Sequence, residues 1–223
     1  AELVEKHVNI NRLLELTKPV ATAVVPISAG RHTYKREPSF PIAVACDPAF
    51  NFVYEANIRY LHHLGEVTYF SPLADTSLPD AGFVYLPGGY PELYLAALSA
   101  NRQMLQSIRR YVESGGKLLA ECGGMMYLCY EIRDKNGYVY PMAGVLHQSA
   151  TMENMKLRLG YRTLLYNETR LKGHEFHYSR LVEQQNPLPS CAVAYTAKGV
   201  ETDTPLYHYK NVWVGYTHLY SSK

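Results

Sequence analysis

The segment 118-LLAECGGMMYL-128 ends an apolar run on Glu121 and Cys122, inserts Gly123 and Gly124, and then resumes an apolar run with helical spacing. A buried structural cysteine needs no glycine pair after it; backbone that bends sharply or lies close to a ligand does. The stretch predicts a strand over 117–121, a tight turn at Cys122 and a helix beginning at the glycines. On such a turn a thiol is presented at the edge of a sheet, as the nucleophile elbow presents a serine. The unsatisfied N–H groups of the helix start are expected to lower the thiol pKa and favour the thiolate.

The same grammar of strand, loop and helix extends upstream. IAVAC (42–46) is a continuous apolar run suited to a buried parallel strand. Residues 47–65 read as a helix ended by Gly65, EVTYFSP (66–72) as a second strand and GFVYLPGGYPE (82–92) as a third. Helical periodicity returns from Leu93 to Val112 before SGG stops it. Repetition of this kind predicts right-handed crossovers and an α/β fold with a doubly wound, mainly parallel sheet. Beyond residue 138 short tyrosine-rich runs such as YRTLLYN, GHEFHYS, CAVAYTAK and NVWVGYTHLY predict added strands, some antiparallel. The opening residues read as the tail of a helical element, with Asn9 as a cap, and the proline- and glycine-bearing stretch after them as a connector.

Composition narrows the function. The chain has 223 residues, 47% of them hydrophobic, and a net charge of +2 without a basic stripe, so it lacks the electrostatic footprint of a nucleic-acid binder. No apolar run reaches the length of a membrane span. Four cysteines (46, 122, 129 and 191) form no C-x-x-C pair, which argues against structural zinc and a disulfide scaffold and for reduced thiols in the cytoplasm. Cys46, Cys129 and Cys191 lie in apolar runs and are expected in the core.

Ligands of open α/β sheets bind at the carboxyl ends of the strands, where both glycine loops fall. An acyl-transfer nucleophile at Cys122 needs donors for the oxyanion, and the N–H groups of Gly123 and of Gly89, in PGGY, are the candidates. It also needs a base. Among nine histidines, His218 ends an apolar strand in WVGYTHLY, where a parallel strand delivers it to the edge that carries Cys122. In GHEFHYS, the i, i+4 histidine spacing of a zinc helix is missing, and no metal is expected. On a strand Glu175, His177 and Ser179 share a face, fit to line a substrate pocket or a domain interface.

The order LPGGYPEL, AECGGMMYL, GHEFHYS and GYTHLY resembles the glutamine amidotransferase domain of the cobyrinate a,c-diamide synthases, over nearly everything from Pro41 onward. The resemblance implies a flavodoxin-like class I amidotransferase domain over 41–223, a linker over 19–40, and in 1–18 the last helices of an ATP-dependent synthetase domain in a longer chain. It implies Cys122 as nucleophile and His218 as its partner. Commoner triad amidotransferases place an acid two residues after the histidine and a glutamine four after the cysteine; here stand Tyr220 and Met126. Glu175 is then a candidate to orient His218 in place of the missing acid. The implied partners are L-glutamine, the synthetase domain, which uses ATP and Mg²⁺, and cobyrinate or a similar tetrapyrrole. No phosphate-binding G-x-x-x-x-G-K-[ST] sequence lies in this chain, so no cofactor is expected within it. Two other readings are a related ligase acting on hydrogenobyrinate, nickel sirohydrochlorin or cobyrate, and a degenerate, non-catalytic binding domain.

Overall fold

The computed structural model describes residues 40–182 and 188–220, with residues 9, 11, 12 and 15 near the amino terminus. Ala1–Glu37 and Pro38–Lys223 are two separate units. In the first, residues 11, 12 and 15 are helical and Arg12 N–H donates to Asn9 Oδ1 at 2.9 Å, the predicted cap. The remaining expectations for 1–18, and those for 19–39, fall outside the described residues.

In the second unit a six-stranded sheet holds β1 (Phe40–Ala45), β2 (Gly65–Phe70), β3 (Phe83–Leu86), β4 (Lys117–Glu121), β13 (Leu206–Tyr209) and β14 (Val212–Gly215). Its order is β13-β14-β4-β3-β1-β2. All pairs are parallel except β13 with β14, so the predicted doubly wound, mainly parallel sheet is present. Alternation along each strand divides two cores. Val84, Leu86, Leu118, Ala120 and Val214 pack with α2 (Leu95–Ala100) and α3 (Arg102–Glu113), whereas Ile42, Val44 and Tyr85 pack with Leu61 of α1 (Glu55–Leu64). α3 buries Met104, Leu105, Ile108 and Val112, and its cap Asn101 accepts the Met104 N–H at 3.3 Å.

Two predicted helices are shorter than their periodicity. The run from Leu93 to Val112 breaks at Asn101, which ends α2 and caps α3. The run after β1 becomes helical only at Glu55, because Asp47 organises the preceding loop. Its Oδ1 accepts the N–H groups of Ala49 and Phe50, and its Oδ2 accepts from Ser71 and Leu73. Cys46, expected in the core, sits just past β1 and is exposed; Cys129 is buried and Cys191 half-buried.

The later chain adds the predicted antiparallel strands. β5 (Glu131–Arg133), β6 (Val139–Pro141), β7 (Ser149–Thr151) and β10 (Arg180–Leu181) make a small mixed sheet. β8 (Arg158–Tyr166), β9 (Thr169–His177), β11 (Val193–Thr196), β12 (Glu201–Thr202) and β15 (His218–Leu219) make another. β15 follows three residues after β14 leaves the central sheet, and it pairs His218 with His174 of β9. Gly173 permits this approach, since a Cβ there would lie 2.3 Å from the His218 carbonyl oxygen. No helix among the described residues is long and apolar enough to cross a membrane.

Candidate active site

Cys122 occupies the turn between β4 and the helix α4 (Gly123–Leu128), with φ 48° and ψ −105°. Few non-glycine residues adopt this left-handed conformation, and strain of this kind gathers at functional sites. It is held from both sides: Cys122 N–H donates to Gly215 O at 2.8 Å, and Cys122 O accepts the Met126 N–H at 3.0 Å. The glycines are needed for close packing. A Cβ on Gly124 would lie 2.2 Å from Leu86 O, and one on Gly123 would lie 2.8 Å from the Pro91 ring and 3.1 Å from Gly89 N. The N–H of Gly123, first residue of α4, has no intrahelical partner.

β14 runs parallel to β4, with Gly215 opposite Glu121, so both strands end at one sheet edge. Cys122 and His218 consequently line one small void of about 20 Å³, with Phe52, Gly89, Tyr90 and Phe176. An adjoining void of about 20 Å³ joins Cys122 to Glu92, Met126, His177 and Ser179. Each holds about one water molecule, so the cleft as it stands is narrower than a substrate. Its aromatic walls include Tyr90 and Tyr178, both substantially exposed.

The electrostatics differ from the sequence expectation at Cys122. Burial pushes the thiol up to about 12, the negative charges of Glu92, Glu121 and Glu175 add to this, and the Gly123 N–H opposes it. Six residues of helix offset neither the loss of water nor three carboxylates. His218 moves in the opposite direction, to about 4, through burial and the nearby His174 and His177. The resting pair is therefore a protonated thiol beside a neutral imidazole, which is the form able to accept a proton.

His218 is seated by shape. Its ring packs on Phe52 at 4.3 Å between centroids, and a Cβ on Gly88 would fall 2.1 Å from His218 Cε1. Nδ1 is buried without a hydrogen-bond partner among the described residues, so no acid orients the ring. Tyr220, at the position of the acid in triad enzymes, stacks edge-on against Tyr54. Sequence reasoning named Gly89 and missed Gly88 and Phe52; the glycine pair itself was the available signal for the first.

Glu175 does not take the vacant place. Its carboxylate accepts from Arg162 Nε at 2.5 Å, from Thr204 Oγ1 at 2.8 Å and from His177 Nε2 at 2.9 Å. Burial would raise it, but the hydrogen bonds from His177 and Thr204 and the charge of Arg162 hold it below the ordinary carboxylate range. These contacts commit Glu175 to His177 rather than to His218. His177 also reaches Ser179 O through Nδ1 at 2.8 Å and stacks on Tyr216 at 3.6 Å. Glu175 and His177 are buried on one face of β9, as its alternation predicts, whereas the strand ends before Ser179, which is buried two residues beyond it. Among the described residues no group of three His, Cys, Asp or Glu side chains is arranged to hold a metal ion.

The parallel strand expected to carry His218 ends at Gly215, and the histidine comes three residues later on the antiparallel β15. A strained cysteine at a strand-to-helix turn that shares a void with this histidine is suited to nucleophilic acyl transfer. The fold agrees with that class. PurLQS of Thermotoga maritima superposes with a TM-score of 0.56 at 18% identity, covering 81% of this chain and 87% of that one. A Thermotoga maritima glutamine amidotransferase gives 0.53 at 13% identity, covering 81% and 76%. The molecule thus has the class I glutamine amidotransferase fold. Residues 41–223 match the CobB/CobQ-like glutamine amidotransferase domain, and the chain belongs to that family. It is 36% identical to cobyrinate a,c-diamide synthase of Picrophilus torridus over 99% of this chain and 49% of that protein. It is 39% identical to hydrogenobyrinate a,c-diamide synthase of Pseudomonas aeruginosa over 80% of this chain and 41% of that protein. The chain spans about half the length of the curated relatives it matches.

Proposed function

We propose that residues 41–223 are the glutaminase domain of a cytoplasmic cobyrinate or hydrogenobyrinate a,c-diamide synthase. The observation that carries this is the shared cleft of Cys122, at its strained turn, and His218. Opening of the cleft admits glutamine. Cys122 Sγ attacks the side-chain carboxamide carbon while the thiol proton passes to His218, and the oxyanion faces the N–H groups of Gly89 and Gly123. His218 returns its proton to nitrogen as the C–N bond breaks and ammonia leaves. Water, losing a proton to His218, then attacks the glutamyl thioester; glutamate departs and the thiol is restored. His177 and Glu175 form the polar wall of the glutamine pocket.

The ammonia is used by a synthetase domain of the same full-length protein, to which segment 1–18 belongs and 19–40 is the link. There ATP and Mg²⁺ activate the a and c acetate side chains of the tetrapyrrole. The relatives' names and their greater length support this division of labour. In the full-length protein, Cys122→Ala is expected to abolish glutamine-dependent amidation and to leave ammonia-dependent amidation within about twofold. A glutamine analogue that alkylates active cysteines is expected to give one adduct, at Cys122, by mass spectrometry. Loss of both amidation reactions in Cys122→Ala would overturn the assignment.

A further inference from the structure

The residues that flank the cysteine and the histidine are joined to each other. Glu121 immediately precedes Cys122, and Leu219 immediately follows His218. Glu121 Oε1 accepts the Leu219 N–H at 3.0 Å, and Glu121 Oε2 accepts from Tyr85 Oη at 2.7 Å. At the next peptide unit, Asn57 Nδ2 donates to Leu219 O at 2.7 Å. Both main-chain polar groups of Leu219 are therefore held by buried side chains, one from β4 and one from α1. The same three side chains and Leu219 line an apolar cavity of about 310 Å³ with Ile42, Leu61 and Phe83. In such surroundings a lost hydrogen bond is poorly replaced, so the hold on Leu219 is stiff.

We propose that Glu121, supported by Tyr85 and paired with Asn57, is the positioning residue for His218 and acts through the Leu219 backbone. This rests on the glutaminase reading above. Among the described residues the imidazole Nδ1 has no hydrogen-bond partner, and the ring packs on Phe52 and over the bare backbone of Gly88, with the His174 ring nearby. Apolar contacts resist sideways motion but do not fix how far the ring stands from the strand that carries the sulfur. The carboxylate at 121 fixes that spacing, because it belongs to that strand and grips the residue next to the histidine. An acidic residue before the nucleophile thereby performs, through the main chain, the positioning that triad enzymes assign to an acid on the ring. It touches neither glutamine nor the reacting atoms.

The test compares Glu121→Ala, Glu121→Gln and Asn57→Ala in the full-length protein, with glutamine hydrolysis and iodoacetamide alkylation of Cys122 measured in each. Ångström-scale misplacement of a reacting group costs on the order of 100-fold in rate. Glu121→Ala should thus lower kcat about 30- to 100-fold while leaving KM for glutamine and the alkylation rate within about threefold. Glu121→Gln retains an oxygen that accepts the Leu219 N–H, so it should recover at least about tenfold of that loss. Asn57→Ala removes the second tie, together with the hydrogen bond between Asn57 and Tyr85, and should lower kcat about five- to tenfold, which keeps the test decisive if Glu121→Ala does not fold. A kcat within twofold of wild type in Glu121→Ala, a Glu121→Gln as slow as the alanine variant, or an Asn57→Ala with unchanged kcat would overturn the proposal. A wild-type protein that does not hydrolyse glutamine would instead remove the glutaminase reading on which it rests.

Discussion

Two glutamates lie behind the cleft, both shut off from solvent, with different fates. Glu175 is 1% exposed and Glu121 is 2% exposed. Around Glu175 stand a guanidinium, an imidazole and a hydroxyl, and the carboxyl stays below its ordinary range. Around Glu121 stand a phenol and one backbone N–H, and burial carries it up to about 7 despite those two hydrogen bonds. Burial raises both, more completely at Glu121, and the stronger set of donors around Glu175 widens the difference in charge state. The first glutamate is a fixed ionic post for the wall of the cleft, and the second is a spacer whose charge is marginal at neutrality.

Removing the cation from the first post should have the largest effect. Arg162→Met leaves the Glu175 carboxylate buried without its strongest counter-charge, and breaking one partner of a buried pair costs about 3–5 kcal/mol. Urea unfolding should show a lowered midpoint which, multiplied by an unchanged slope, gives a loss of that size. A loss below about 1 kcal/mol would mean that Thr204 and His177 suffice, and the contrast between the two glutamates would shrink to one of degree.

Part of this arrangement is legible in the sequence, and the division is physical. Chain direction is local information: the apolar run through Ala120, the glycines after it and the apolar strand before His218 place sulfur and imidazole at one edge. Face sharing by Glu175 and His177 is likewise periodic information, while the end of the strand before Ser179 is not. Charge is different, because it is a tertiary quantity. The thiol at 122 is displaced upward by burial and by Glu92, Glu121 and Glu175, which only the folded chain assembles. The partners of Glu175 come from β8 and from Thr204, and the hold of Glu121 on Leu219 spans 98 positions. Segment 47–54 was hidden for a related reason. Its helical spacing yields to the Asp47 loop, which places Phe52 against the imidazole.

The second glutamate should show itself in the pH dependence of stability. Its folded value of about 7 exceeds its ordinary 4.5, so the folded state binds the extra proton within that window. Its contribution is accordingly full below about pH 4.5 and is lost as pH rises through 7, by an amount on the order of 3 kcal/mol. Glu175 contributes with the opposite sign and only at lower pH, since its carboxyl is held down. The check is the difference in unfolding free energy between wild type and Glu121→Gln at pH 5 and at pH 8. Wild type should lose stability across that interval relative to the variant. Parallel curves would show that Glu121 is ionised throughout, as Glu175 is, and the comparison would fail.

The smallest effect separates carboxylates by their reach to sulfur. Glu92 stands ahead of Glu121 and Glu175 among the charges that raise the Cys122 thiol, and it lines the same void. It is itself raised by burial. At pH 9, where Glu92 and Glu121 are both ionised, Glu92→Gln should speed iodoacetamide alkylation of Cys122 about three- to fivefold, and Glu121→Gln less than about threefold. Alkylation needs the thiolate, so its rate follows the thiolate fraction once access is equal. Equal access is checked in the same experiment by raising the pH, because curves that differ only in thiolate fraction converge as the thiol ionises. If Glu121→Gln proves the faster variant at pH 9, the carboxylate before the cysteine acts on the sulfur directly, and its role as a spacer for His218 would no longer separate it from the charges that line the cleft.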